Sequence, residues 1–115
     1  MMMEERRRYP RYRRYLEVAY ETGDTVGISC ATNTFDISRG GLSMPVNKAI
    51  KLGKKINLRI KLPYYDKEVT AQGRVVWKGP VRRTLSQEEY AGIEFMAMDD
   101  GSRSALAQYL ETISA

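Results

Sequence analysis

Lys55-Ile56-Asn57-Leu58-Arg59-Ile60-Lys61-Leu62 alternates polar and apolar residues without a break. A period of two sends every second side chain to the same side of an extended backbone. The stretch therefore predicts a strand with Ile56, Leu58, Ile60 and Leu62 on a buried face. Pro63-Tyr64-Tyr65-Asp66-Lys67 follows with turn chemistry, and Glu68 to Lys78 resumes the alternation, with Val69, Ala71, Gly73, Val75 and Trp77 on one face. Two such runs joined by a short turn predict an antiparallel hairpin.

Working outward, Tyr15 to Tyr20 has the aromatic and β-branched content of a first strand, and Glu21 to Thr25, with Gly23-Asp24 at its centre, reads as a turn. Val26 to Phe35 predicts a second strand, and Gly41-Leu42-Ser43-Met44 a short third one stopped by Pro45. Beyond the hairpin, Gly79 to Glu88 has no periodicity and reads as a mobile loop, and Tyr90 to Met96 gives a last strand. Asp99 or Asp100 can cap a helix whose Leu106, Tyr109, Leu110 and Ile113 fall on one face at spacings of three and four. Short strands followed by one amphipathic helix predict a mainly β fold, a small six-stranded antiparallel β-barrel with a C-terminal α-helix packed on it. Residues 1–14 are expected to form a flexible basic N-terminal arm carrying RxxxR and residues 15–115 the barrel and helix, one domain overall.

The 115 residues are 43% hydrophobic and 29% charged, the balance of a folded soluble chain rather than a disordered or membrane-spanning one. No apolar run approaches the roughly eighteen residues of a membrane helix, and the cations follow the opening methionines instead of preceding an apolar segment. The expected location is the cytoplasm. Cys30, the single cysteine, cannot form an internal disulfide and reads as a small buried hydrophobe; with no histidine, a zinc or iron–sulfur site is not expected. There is no histidine base, no nucleophile motif around Ser38 or Cys30, no paired-carboxylate arrangement that can be placed in a site and no Walker-type loop, which argues against an enzyme.

The net charge of +5 is concentrated in Arg6, Arg7, Arg8, Arg11, Arg13 and Arg14. Guanidinium forks pair with phosphate bidentately and stack on bases, work in which lysine supplies only a point charge. Tyr9, Tyr12 and Tyr15 interleave these cations, and Pro10 disfavours a regular helix. Farther along, Asp36-Ile37-Ser38-Arg39-Gly40-Gly41 offers a carboxylate able to accept from two N–H donors, a hydroxyl that binds phosphate or holds a turn, and a glycine that supplies either an unusual backbone angle or the absence of a side chain. Taken alone, the arm also reads as a solvated basic tail and the second segment as a self-closing Asp/Ser turn.

In this order, Arg7 and Arg11 as RxxxR and Asp36, Ser38 and Gly41 as DxSxxG resemble the PilZ family of bacterial cyclic di-GMP receptors. The likeness extends through the strand ending near Trp77, the Tyr90-Ala91-Gly92-Ile93-Glu94-Phe95 strand and the closing helix. It implies that Arg7 and Arg11 grip guanines and phosphates, and that Asp36, Ser38 and Gly41 close on a guanine from the barrel surface. Arg6 stands immediately before RxxxR, which in the family accompanies two intercalated ligand molecules; Arg8 adds a further contact. Trp77 falls on the core-facing register and reads first as a core residue, with an aromatic wall beside the guanine as the functional alternative. Arg39 and Arg74 read as rim charges, and Met96 with Met98 as packing beneath the helix.

The resemblance thus implies a non-enzymatic receptor that takes no cofactor, binds cyclic di-GMP between arm and barrel, and shows an altered surface to an unknown downstream protein. A nucleic-acid-binding barrel is the alternative, with steep salt dependence and little need of Asp36. A PilZ-like interaction module without ligand is a third reading, and attachment of the arm to an anionic membrane surface lacks a supporting anchor.

Overall fold

A computed structural model of the chain describes residues 9–23, 30–47, 49–80 and 88–114. The strands are β1 (Tyr12–Arg13), β2 (Glu17–Thr22), β3 (Cys30–Asn33), β4 (Asp36–Ile37), β5 (Gly41–Asn47), β6 (Lys55–Ile60), β7 (Val69–Pro80) and β8 (Glu88–Met98), followed by α1 (Asp100–Ser114). They form one antiparallel sheet in the order β1-β4-β5-β8-β7-β6-β2-β3. The sheet curls until its end strand β3 comes near β5, giving an open half-barrel.

The alternation of β6 is realised residue by residue: Ile56, Leu58 and Ile60 are buried, and Lys55, Asn57 and Arg59 face solvent. β7 pairs with β6 as the expected hairpin, with Ile60 opposite Val69 and Ile56 opposite Gly73. Val18, Tyr20, Ile37, Leu42, Met44, Val75 and Ile93 complete the concave face, and Leu106, Tyr109 and Leu110 of α1 close it. Ile113 packs against this core from the last turn. Burial raises the Tyr109 hydroxyl pKa, while Arg14 beside it acts in the opposite direction, so the root of the arm meets the helix.

Helix α1 starts where an acidic cap was expected. Asp99 accepts the Ser102 amide at 2.7 Å through Oδ1, which meets one of the unpaired donors of the first turn. Thr70 Oγ1 also donates to Asp99 Oδ2 at 3.1 Å, and the Thr70 amide donates to Ser102 Oγ at 3.0 Å, so the cap ties the helix to β7.

Five sequence expectations change. The strands number eight rather than six, because the two-residue β1 and β4 leave no periodic signal of their own. Pro45 does not stop the third strand: β5 runs on to Asn47, and since β4 ends opposite Ser43, β5 there has one ladder partner and tolerates a proline. Cys30 is exposed, not buried, since it begins β3, the last strand of the sheet. Trp77 is 40% exposed and is not a core residue, for a reason that builds the site described next. Glu21 and Thr22, expected in a turn, instead continue β2 against β6; the rest of that turn after Gly23, the start of the strand expected from Val26 and the loop expected between Gly79 and Glu88 fall largely outside the described residues.

Candidate ligand-binding face

Two β-bulges distort the β7–β8 ladder. Gln72 pairs with Ala97 and Gly73 with Phe95, so Met96 is an extra residue on β8; Val75 pairs with Ile93 and Trp77 with Gly92, so Val76 is an extra residue on β7. The second bulge reverses the alternation. Val75 points into the core, Val76 is 48% exposed, and Trp77 emerges on the convex face. Its indole packs directly on the backbone of Gly92, where a Cβ would overlap Nε1, Cδ1 and Cε2. The first bulge likewise corrects the expectation for Met96, which is 46% exposed, while Met98 packs against the core.

Directly opposed residues share a face. The registers Arg13↔Asp36, Asp36↔Ser43, Ser43↔Gly92 and Gly92↔Trp77 therefore lay a row across β1, β4, β5, β8 and β7 on the convex side. At about 4.8 Å per strand, Asp36 and Trp77 stand roughly 14 Å apart along the sheet. Ser43 donates to Asp36 Oδ1 at 2.8 Å and so fixes the carboxylate plane. The other carboxylate oxygen makes no hydrogen bond among the described residues. Phe35 and Tyr90 border the row, their ring centroids 5.7 Å apart, and the Arg13 guanidinium lies 5.1 Å from the centre of Phe35. The face thus offers an acceptor, cations and aromatic surfaces in one plane.

The DxSxxG turn is held from within. The Ser38 amide donates to Gly41 O at 2.8 Å, Ser38 Oγ accepts the Gly40 amide at 3.1 Å, and the same hydroxyl donates to Gly41 O at 3.3 Å. Of the two roles expected for Ser38, holding the turn is the one these bonds perform. Gly41 is required by space and not by an unusual backbone angle: a Cβ there would run into the Ile93 carbonyl of the adjacent strand.

The arm meets this turn. The Tyr9 ring, which falls between the two arginines of RxxxR, packs on Gly40, where a Cβ would stand 3.2 Å from Cδ2; the Arg39 guanidinium covers that ring at 5.8 Å. Thr34, 1% exposed, fastens the arm's root: its Oγ1 accepts the Leu16 amide at 2.9 Å and donates to Arg14 O. Arg11 is exposed just before β1, and Arg6, Arg7 and Arg8 lie outside the described residues. Beside Tyr9 a cavity of about 290 Å³ opens between Arg39, Met96, Met98 and the helix residues Arg103 and Leu106.

The structure therefore brings Asp36, Trp77 and Arg13 of the arm to one side of the sheet, with Ser38 and Gly41 shaping the turn beside them. Sequence reasoning missed Ser43 and Gly92. The outward register of Ser43 between Leu42 and Met44 was legible, but not the β4–β5 pairing that sets it beside Asp36.

The PilZ domain family model matches residues 5–112, and the chain belongs to that family. Its fold is similar to that of Bacillus subtilis MotI/DgrA, an inhibitor of motility: the TM-score is 0.76 at 21% identity over 95% of this chain and 51% of that one. The PilZ domain of Escherichia coli YcgR with c-di-GMP gives 0.72 at 12% identity, over 95% of this chain and 92% of that one. Klebsiella pneumoniae MrkH in complex with c-di-GMP gives 0.74 at 18% identity, over 94% of this chain and 52% of that one. The chain thus spans about half the length of the MotI and MrkH chains. No curated protein matches the sequence. Among the described residues no helix is long and apolar enough to cross a membrane, and no cluster of potential metal ligands occurs.

Proposed function

We propose that the protein is a non-enzymatic receptor for cyclic di-GMP, bound between the arm and the convex face of the sheet. The observation that supports this reading is the contact of Tyr9, a residue within the RxxxR stretch, with Gly40 of the DxSxxG turn. Asp36, oriented by Ser43, accepts from the N1 and N2 donors of a guanine; Arg7 and Arg11 pair with phosphates and guanine edges; Trp77 offers a stacking surface about 14 Å along the sheet. The MrkH and YcgR structures with c-di-GMP support the ligand class by fold and family. Arg6, next to RxxxR, favours two intercalated ligand molecules per chain, with Arg8 as a further contact. Arm rearrangement would carry the signal to a downstream protein, because a ligand biases a segment that it contacts differently in two states.

Calorimetric titration with cyclic di-GMP, with GTP and a short single-stranded oligonucleotide as controls, tests this. Saturable binding of cyclic di-GMP alone supports the receptor, and a ratio of two supports the role given to Arg6. Silence with cyclic di-GMP removes the receptor reading, and salt-sensitive binding of the oligonucleotide would replace it with the nucleic-acid one.

A further inference from the structure

Arg74 stands three residues before Trp77 on β7, opposite Glu94 of β8 and Lys55 of β6. Because Val76 is the extra residue of its bulge, Arg74 and Trp77 lie two ladder positions apart, facing Glu94 and Gly92. They share the convex face at a backbone separation of about 7 Å. Without the bulge the indole would point inward and Arg74 would have no aromatic neighbour on its side.

The Arg74 side chain is only partly exposed, and its Nε is shut off from solvent with no hydrogen-bond partner among the described residues. A guanidinium N–H left in that state has lost water without gaining an acceptor, an arrangement proteins rarely keep without a use. Lys55, directly across the ladder, adds a like charge where an opposite one would be favourable. Glu94 faces Arg74 from the other side, yet no ion pair joins them. The buried Nε is out of a ligand's reach, but the rest of the partly exposed guanidinium, the adjacent Lys55 cation and the neighbouring aromatic plane fit a ligand that brings both an anion and a ring.

We infer that Arg74 is a ligand-binding residue whose guanidinium takes a phosphoryl oxygen of the nucleotide stacked on Trp77. This rests on the receptor reading above and extends it to a residue outside both motifs. A base resting on Trp77 would put its sugar-phosphate within reach of a long side chain two ladder positions away on the same face, where Arg74 stands and Lys55 reinforces the field. The planar fork suits a phosphodiester, which presents two equivalent oxygens.

The test uses Trp77, the single tryptophan of the chain, as its reporter. The variant Arg74→Met keeps the apolar stem and removes every donor, and Arg74→Lys keeps the charge without the fork. Both are titrated with cyclic di-GMP by calorimetry and by tryptophan emission, at low and high salt. The expected result is an Arg74→Met protein that melts and emits like the wild type when empty, yet binds at least tenfold more weakly and with less salt dependence; Arg74→Lys falls between. Wild-type affinity in Arg74→Met overturns the assignment while leaving the receptor intact. A shifted emission of the empty Arg74→Met protein also overturns it, since Arg74 would then be holding the indole and not the ligand. If the wild type itself does not bind cyclic di-GMP, the receptor reading fails and the assignment falls with it.

Discussion

The indole of Trp77 rests on Gly92, one strand away, in space that any Cβ would occupy. Gly92 is therefore the platform that lets an aromatic ring lie close to the sheet. Since the ring is 40% exposed, it is able to swing outward when the platform is raised.

Gly92→Ala accordingly displaces Trp77 at modest cost to the fold, about 1 kcal/mol. Emission of the single tryptophan should move to longer wavelength as the ring enters water, and cyclic di-GMP affinity should fall with it. An unchanged spectrum would show that the ring does not depend on Gly92.

Gly41→Ala behaves differently, because the atom in the way is the Ile93 carbonyl of a central ladder, which cannot step aside. Urea unfolding should register a loss of about 1–3 kcal/mol, appearing with or without ligand. A variant of wild-type stability that fails only to bind would make Gly41 a ligand contact.

Asp36→Asn removes the charge to which we assign the guanine donors, and on that reading cyclic di-GMP binding should drop by more than tenfold while GTP and oligonucleotide controls stay flat. Ser43→Ala leaves the carboxylate but frees its plane, with an expected loss of about 1 kcal/mol, roughly fivefold. Equal losses in the two variants would mean that Ser43 does more than orient Asp36.

Asp99 gives the fold a pH dependence. The Ser102 amide, first among several causes, holds its carboxyl pKa below the ordinary 3.8. A lowered value in the folded state contributes stability that is complete above the ordinary value and is lost as pH falls through the folded one. Asp99→Asn can still cap but cannot titrate. Its melting temperature should change less than that of the wild type as pH falls below 4, and Asp99→Ala should melt lower than both at neutral pH. Parallel pH profiles for all three would place the acid sensitivity elsewhere.

Elements with a long, unbroken period were readable from residues alone. The β6 alternation, the hairpin it makes with β7 and the buried face of α1 at Leu106, Tyr109 and Leu110 follow from spacing and a cap. The bulge at Val76 was not readable: one extra β-branched residue inside a run of strand formers changes no composition or turn signal, yet it sends Trp77 to the opposite face. Sequence adjacency likewise could not show Asp36 between Arg13 and Ser43, because two-residue strands acquire their identity only from the neighbours that pair with them. Thr34, which fastens the root of the arm, carries no motif at all.

The arm joins the sheet through β1, which is two residues long and among the described residues pairs only with β4, the equally short strand carrying Asp36. A ladder of that length contributes one or two backbone hydrogen bonds, on the order of 1–3 kcal/mol in net stability. Taken by itself, an energy in that range would leave β1 open in roughly a sixth to under a hundredth of molecules, and the packing of Tyr9 on Gly40 and the Thr34 bonds lower that fraction further. Sub-millimolar ligand affinity already exceeds the ladder's share. The β1–β4 ladder is thus the weak side of this junction, and Asp36, held through β4 to β5 and by Ser43, sits on its fixed side.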